Sequence, residues 1–372
     1  MSGTIVFTGG GSGGHVFPGL AVAEYLKTKW DGEIVWIGSG KKIERSIVER
    51  WGLRFYSIPS GKLRRYFSLR NAADVFLTAA GLFAALALLR RLKPALLFSK
   101  GGYVSVPPVV AARLLGIPVF THESDLDPGL ATKINARFAN RIFVAYEEST
   151  AFFRSGAAVT VSGNPVRAEI YRGDRERGRA LLGVPDGVPV LLALGGSQGS
   201  LEVNTMVREA LPALTERFFV VHQTGETDAV PAVPVPARSD PEFDRRMYRA
   251  EPFITDEYPD ILAAADLVVS RSGAGTLWEL AATGTPSILV PLGGASSRGD
   301  QVRNAKLFEK LGAAAVLGDD ERTGRGLTAA IDRLTGATGT LSAMREAALR
   351  IGRARAAETI GEEILKTVGG RV

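Results

Sequence analysis

The feature that most restricts the fold is a short strand running directly into glycines, and it occurs twice. Thr4–Thr8 leads into Gly9-Gly10-Gly11-Ser12-Gly13-Gly14, and Val188–Leu194 leads into Gly195-Gly196-Ser197-Gln198-Gly199. A helix-like pattern follows each. The two lie about half a chain apart, so each is expected to open its own Rossmann-like domain.

Further apolar runs support this. Ile34–Ile37, Phe55–Ile58, Ala95–Phe98, Pro118–Thr121, Arg141–Ala145 and Val159–Val161 fall in the first half. Phe218–His222, Leu267–Ser270, Ser287–Val290 and Ala314–Leu317 fall in the second. These runs do not alternate with polar residues, as expected of parallel strands covered on both faces. Helical patterns lie between them, among them Pro18–Lys29, Thr276–Thr283 and Gln301–Leu311. The alternation predicts a doubly wound α/β architecture. A length of 372 residues fits roughly two domains. Turn chemistry at Ser162-Gly163-Asn164-Pro165 places the boundary there, giving domains 1–164 and 165–347. Leu341–Lys366 has helical composition, and a C-terminal helix over about 348–372 is expected to pack back on the first domain. Ala229–Asp240 reads as an exposed Pro-rich loop.

Composition narrows the function. The absence of cysteine excludes a disulfide scaffold, a thiolate metal site and a Cys nucleophile, and makes the cytoplasm the default compartment. Three histidines argue against a His-rich metal centre. The net charge of +6 is dispersed; it suits solubility, an anionic surface or an anionic ligand. No dense Lys/Arg tract suggests nucleic acid. No secretory signal opens the chain, and the apolar stretch Val75–Leu89 is shorter than the roughly 20 residues that span a bilayer. A soluble or peripheral protein is expected.

Gly9, Gly11 and Gly14 satisfy G-x-G-x-x-G. A dinucleotide site also wants an acid after the second strand, but Ile34–Ile37 ends in Gly38-Ser39-Gly40, which weakens a dehydrogenase reading. What remains is a glycine turn that admits phosphate at a helix N-terminus, or a tight turn needing glycine and nothing more. His15 at the mouth of the helix is a proton acceptor or a structural cap. His122 and His222 sit at strand ends, where packing or hydrogen bonding is equally open. Ser270–Glu279 also runs from a strand end into a helix and favours a phosphate oxygen. Glu279, read in the first turn, either complements the helix dipole or binds vicinal ribose hydroxyls.

These residues resemble the MurG family of bacterial glycosyltransferases, with the GT-B fold. The resemblance spans nearly the whole chain. It rests on Gly9–His15 with Pro18, Gly101-Gly102-Tyr103-Val104-Ser105, His122-Glu123, Pro128-Gly129-Leu130 and Gly163-Asn164-Pro165-Val166-Arg167. It continues through Gly195–Gly199, Arg271-Ser272-Gly273-Ala274, Glu279, and Gln301 with Asn304-Ala305. It implies two Rossmann-like doubly wound domains facing across a cleft. It implies transfer of N-acetylglucosamine from UDP-N-acetylglucosamine to undecaprenyl-pyrophosphoryl-N-acetylmuramoyl-pentapeptide, at the cytoplasmic face of the cell membrane, by a peripheral enzyme. Ser197 and Arg167 are implied to contact the nucleotide-sugar, and Ile254 the uracil through its backbone. Ala274, Gly275, Thr276, Leu277 and Glu279 would surround diphosphate and ribose, with Glu279 on the ribose hydroxyls and Gln301 on the sugar hydroxyls. Ser12, Gly13 and Gly14 would close over the donor, with His15 as general base.

Two departures stand out. The family often has Asn three residues after the His of its His-Glu motif, where this chain has Asp125, read as an acceptor-side group or second base. Many relatives carry an aromatic and basic run where this chain has Gly293-Gly294-Ala295-Ser296-Ser297-Arg298-Gly299-Asp300-Gln301. Asp319-Asp320 is adjacent and late, and a reaction without metal or other cofactor is expected. Direct attack by the acceptor 4-hydroxyl would invert the anomeric centre. Leu63–Lys93 offers an apolar body, with Phe76, Ala79, Ala80 and Phe83 at helical spacing. Arg64, Arg65 and Arg70 precede it and Arg90, Arg91 and Lys93 follow, which suits either an anionic leaflet or an ordinary core helix with solvated ends. The competing functions are another GT-B UDP-sugar enzyme (a glycolipid glycosyltransferase or UDP-N-acetylglucosamine epimerase) and a non-catalytic nucleotide-sugar-binding regulator.

Overall fold

Both faces of each central strand are buried, which explains the unbroken apolar runs. Along the first strand, Ile5 and Phe7 enter one hydrophobic cluster and Val6, between them, enters another on the opposite face. The computed structural model describes residues 3–11, 13–61, 70–196, 199–225, 245–293 and 299–369. The chain forms two units, one reaching to Arg167 and resuming at Ala354, the other spanning Ala168–Arg353.

The first unit contains β1 (Thr4–Thr8), α1 (Phe17–Lys27), β2 (Glu33–Gly38), α2 (Lys42–Arg50), β3 (Arg54–Ser57) and α3 (Arg70–Leu92). It continues with β4 (Leu96–Ser99), α4 (Val106–Leu114), β5 (Val119–Glu123), α5 (Leu130–Asn135), β6 (Arg141–Val144) and β7 (Val159–Val161). Its sheet has the parallel order β3-β2-β1-β4-β5-β6-β7. Leu20, Trp36 and Phe98 fill one side. Ala85, Leu89 and Leu97 fill the other.

The second unit contains α6 (Arg175–Leu182), β8 (Val190–Leu194), α7 (Leu201–Thr215), β9 (Phe219–Gln223), β10 (Tyr248–Glu251) and α8 (Tyr258–Ala264). After these come β11 (Leu267–Ser270), α9 (Ala274–Thr283), β12 (Ser287–Leu289), α10 (Asp300–Lys310), β13 (Ala314–Val316), α11 (Gly324–Gly336) and α12 (Thr340–Gly352). Its sheet order is β10-β9-β8-β11-β12-β13, again parallel. Side chains start several helices where the sequence supplies them: Asp174, Ser200 and Thr323 each accept the backbone N–H three residues on.

Several expectations need correction. The helical stretch read over Leu341–Lys366 is two helices, α12 and α13 (Ala356–Gly369). A Cβ on Gly352 would stand 2.1 Å from Ala281 O, so α12 lies hard against α9; α13 instead packs on α1 in the first unit. Strand β10 escaped the sequence reading because Tyr-Arg-Ala-Glu is short, polar and at a sheet edge. α3 is a 23-residue helix, and Asp74–Leu92 is long and apolar enough to cross a membrane by length and composition, contrary to the estimate from Val75–Leu89 alone. Its residues 81, 85 and 89 nonetheless form a buried stripe, and Ala85 and Leu89 belong to the core of the first unit.

Candidate active site

Each sheet reverses its strand order at one point, and a doubly wound sheet binds ligands beyond the carboxyl ends of the strands there. In the first unit the reversal falls between β1 and β4. Their carboxyl ends carry the turns beginning at Gly9 and at Lys100-Gly101-Gly102. In the second it falls between β8 and β11, which run into Gly195-Gly196 and Arg271-Ser272-Gly273. The four glycine clusters of the sequence therefore fall at the two reversal points, one pair in each unit.

In the first unit the two turns touch. Gly102 has φ +77°, and a Cβ there would lie 2.3 Å from Gly10 O. Glycine at positions 9, 10 and 11 is likewise required by neighbours, since a Cβ would meet His15 O, the Glu44 carboxylate or the Tyr103 ring at 2.9 Å or less. Close packing thus accounts for these three glycines without a ligand. His15 ends a 3-10 turn, Gly13–His15, is half-buried, and lies against the β4 turn: a Cβ on Gly102 would be 3.1 Å from its Cδ2. Polar side chains set that β4 turn. Ser99 Oγ accepts from Gly101 N, Ser105 Oγ donates to Gly102 O, and Asn135 Nδ2 donates to both hydroxyls at 3.0 and 2.8 Å.

The His122-Glu123 pair is structural. His122 is fully buried at the end of β5, with Nε2 2.9 Å from Gly163 O; burial, reinforced by the Lys100 charge, holds its pKa well below the ordinary value. The Glu123 carboxylate accepts the backbone N–H groups of Ser124, Asp125 and Gly129 at 2.9, 3.1 and 3.0 Å and so shapes the loop bearing Asp125. Asp125 itself is half-buried. Ser124 Oγ donates to Asn164 Oδ1, and the Arg167 guanidinium lies 5.0 Å from the centre of the Phe17 ring. The segment Gly163–Arg167 therefore belongs with the first unit, and the second begins at Ala168, not at residue 165.

The second unit gathers most donor-side candidates. α9 begins at Ala274, so Glu279 stands in its second turn and not its first, which removes the dipole explanation for its charge. Tyr258 Oη donates to Glu279 Oε2 at 3.1 Å. The Leu277 N–H is held by Gly273 O and its side chain is fully buried, so Leu277 presents neither to a ligand. Ala274, Gly275 and Thr276 supply the first N–H groups of the helix. Gly273 and Gly275 have open space where a Cβ would sit, unlike the crowded glycines at positions 9–11. Open space beside a helix N-terminus is where an anion approaches.

Ser272 Oγ donates to Gln301 O at 2.8 Å, and Gln301 Oε1 accepts Leu292 N at 3.0 Å, tying the ends of β11 and β12 to the start of α10. Ile254 is buried, and its N–H donates to Gln223 Oε1 at 3.0 Å. Arg271 bonds Glu202 Oε2 and Val290 O. A cavity of about 440 Å³ beside Arg271, lined also by Glu202, Thr205 and Arg322, includes none of the candidate residues. Ser12, Ser197, Gln198, residues 229–240, residues 294–298, Arg64 and Arg65 lie outside the described residues. Sequence reasoning missed Lys100, Ser124, Gln223 and Tyr258; only the place of Lys100 directly before Gly101-Gly102 offered a signal.

Residues 5–144 match the glycosyltransferase family 28 N-terminal domain, and residues 190–360 the glycosyltransferase family 28 C-terminal domain. The chain is 48% identical over 332 residues to the UDP-N-acetylglucosamine–N-acetylmuramyl-(pentapeptide) pyrophosphoryl-undecaprenol N-acetylglucosamine transferase of Treponema denticola, covering 86% of this chain and 85% of that protein. A Bacillus cereus transferase of the same description, numbered 2, is 43% identical over 331 residues, covering 89% and 91%. Among solved structures, Acinetobacter baumannii MurG aligns with a TM-score of 0.73 at 26% identity, covering 98% of this chain and all of that one. A UDP-N-acetylglucosamine 2-epimerase shares the fold at a TM-score of 0.68 and 16% identity. With both domain types matched and such relatives along most of its length, the chain belongs to glycosyltransferase family 28.

Proposed function

We propose that this enzyme transfers N-acetylglucosamine from UDP-N-acetylglucosamine to the 4-hydroxyl of lipid-linked N-acetylmuramoyl-pentapeptide, converting lipid I to lipid II in peptidoglycan synthesis. The observation that carries this is the 48% identity to a transferase of that description across 85% of its length. The fold is GT-B, two parallel-sheet α/β domains.

Charge on the departing diphosphate is met by the free N–H groups of Ala274, Gly275 and Thr276 at the start of α9, a preorganised anion site needing no metal. Gly13, Gly14 and Arg167 are further donor contacts, as are Ser12 and Ser197. Glu279, oriented by Tyr258, accepts the ribose hydroxyls. Gln223 holds the Ile254 N–H, which leaves the Ile254 carbonyl for the uracil N3–H. Gln301 binds the sugar hydroxyls through the amide end not engaged by Leu292. His15 removes the acceptor proton, with Asp125 on the acceptor side. A single displacement inverts the anomeric carbon.

The acceptor's lipid calls for contact with the cytoplasmic membrane surface. Phe76 and Phe83 on α3 are 78% and 70% exposed, with Val75 and Leu77 beside them. Ala85 and Leu89 anchor the same helix in the core, so it lies on the membrane instead of crossing it. The test is turnover: purified protein with labelled UDP-N-acetylglucosamine and lipid I should form lipid II. Labelled sugar left on UDP, or appearing as an epimer, would refute the assignment.

A further inference from the structure

Lys100 is the anomaly of the first unit. It follows β4 and precedes the Gly101-Gly102 turn, yet its side chain is 1% exposed. The stem passes beneath the first glycine turn: a Cβ on Gly9 would lie 3.1 Å from Lys100 Cβ, and one on Gly19 3.7 Å. The ammonium reaches the end of β5 and donates to Ser124 Oγ at 2.7 Å; Ser124 passes a hydrogen bond on to Asn164 Oδ1 at 2.5 Å. A buried ammonium with one hydroxyl acceptor is an expensive way to fill space that an apolar chain would fill at less cost. What the position offers instead is charge: Glu123 and Asp125 are the carboxylates that favour its protonated form.

We propose that Lys100 is a positioning residue of the transfer reaction, its buried ammonium acting through Ser124 to hold the loop that carries Asp125 and to balance that carboxylate's charge beside the turn on which His15 rests. It does not touch substrate, since it is enclosed. This rests on the reading of Asp125 as an acceptor-side group. The arrangement joins three segments that the chemistry requires together: the β1 turn against the lysine stem, the β4 turn that follows it, and the β5 loop at its tip. The charged and titratable groups around it are Glu123 and Asp125, whose charges favour the ammonium, and His122, which the ammonium disfavours as a cation. His15 lies against the following glycines. Burial brings the ammonium down to about 8, so its charge is lost just above neutrality.

The test compares Lys100→Met and Lys100→Gln with the unmodified enzyme in a lipid I turnover assay from pH 6 to 10. The unmodified enzyme should lose kcat as pH rises through about 8. Lys100→Met should lower kcat at pH 7 at least tenfold, leave KM for UDP-N-acetylglucosamine within twofold, and show no such alkaline limb. Lys100→Gln, which keeps a donor for Ser124 but no charge, should behave like Lys100→Met. Unchanged kcat and an unchanged alkaline limb in both variants would overturn the inference while leaving the assigned function intact. Full rescue by Gln would overturn the role of charge. An unmodified enzyme that transfers nothing to lipid I would overturn the assigned function, and this inference with it.

Discussion

Replacing Lys100 by Met should make the first unit more stable. The ordinary lysine value is 10.5 and burial brings Lys100 down to about 8. At about 1.4 kcal/mol per pH unit, enclosing the ammonium costs roughly 3 kcal/mol at pH 7 relative to the neutral amine. Met has similar volume and carries no charge, but forfeits the bond to Ser124, worth about 1 kcal/mol. The net expectation is a gain of about 2 kcal/mol at pH 7. The pH dependence has a definite sign. Below pH 8 folded and unfolded states are both protonated and the cost is complete. Between pH 8 and 10.5 the unfolded chain binds more protons, so stability of the unmodified protein rises with pH; above 10.5 the cost is gone. Urea unfolding at pH 7 and 9.5, followed by tryptophan fluorescence, reads this, because Trp36 is fully buried in the same unit. The two proteins should differ most at pH 7 and be nearly equal at pH 9.5. A Met variant less stable at pH 7, with the same pH slope as the parent, would show that the surroundings favour the ammonium and would refute the reasoning.

Gly275→Ala should separate folding from function. Nothing crowds a Cβ there and the residue is helical, so the unfolding free energy should hold or rise by up to about 1 kcal/mol while KM for UDP-N-acetylglucosamine increases about tenfold; an unchanged KM argues against diphosphate at that helix start. Tyr258→Phe removes the hydroxyl that orients Glu279, and about 1 kcal/mol of lost orientation corresponds to a KM for donor raised about fivefold with kcat within twofold. Equal KM values by steady-state kinetics would remove Tyr258 from the site. Phe76→Glu with Phe83→Glu should abolish sedimentation with vesicles containing anionic lipid and leave the circular dichroism melt within 2 °C, because both rings are exposed. Undiminished sedimentation would place the membrane contact elsewhere.

Much was legible in the chain because a strand covered on both faces must be apolar throughout. Twelve of the strands follow from that pattern, within two residues at their ends. β10 did not, since an edge strand such as Tyr248–Glu251 needs no such run. The glycine turns and Glu279 were likewise visible as motifs. Their meaning was not. The spacing of Gly9, Gly11 and Gly14 suggested phosphate, yet a Cβ on Gly9 or Gly11 would crowd His15 O or the Tyr103 ring, whereas Gly273 and Gly275 have open space around them. His122 was open to packing or to hydrogen bonding, and it does both, fully buried with Nε2 2.9 Å from Gly163 O.

The sequence by itself determined two doubly wound units and the loops that carry chemistry, because hydrophobic period and glycine placement are local properties of the chain. Tertiary structure alone decided which of those loops meet. Lys100 and Ser124 are 24 positions apart and Ser124 and Asn164 40 apart; only the parallel order β1-β4-β5 brings their polar ends into one buried chain. The helical stretch near the C-terminus shows the same division. Its Ala, Arg and Glu content favours helix, and the break between Gly352 and Ala356 separates α12, packed on α9, from α13, packed on α1. Gly352 weakens the helix locally, and the packing of the two helices on different partners decides that the chain breaks there.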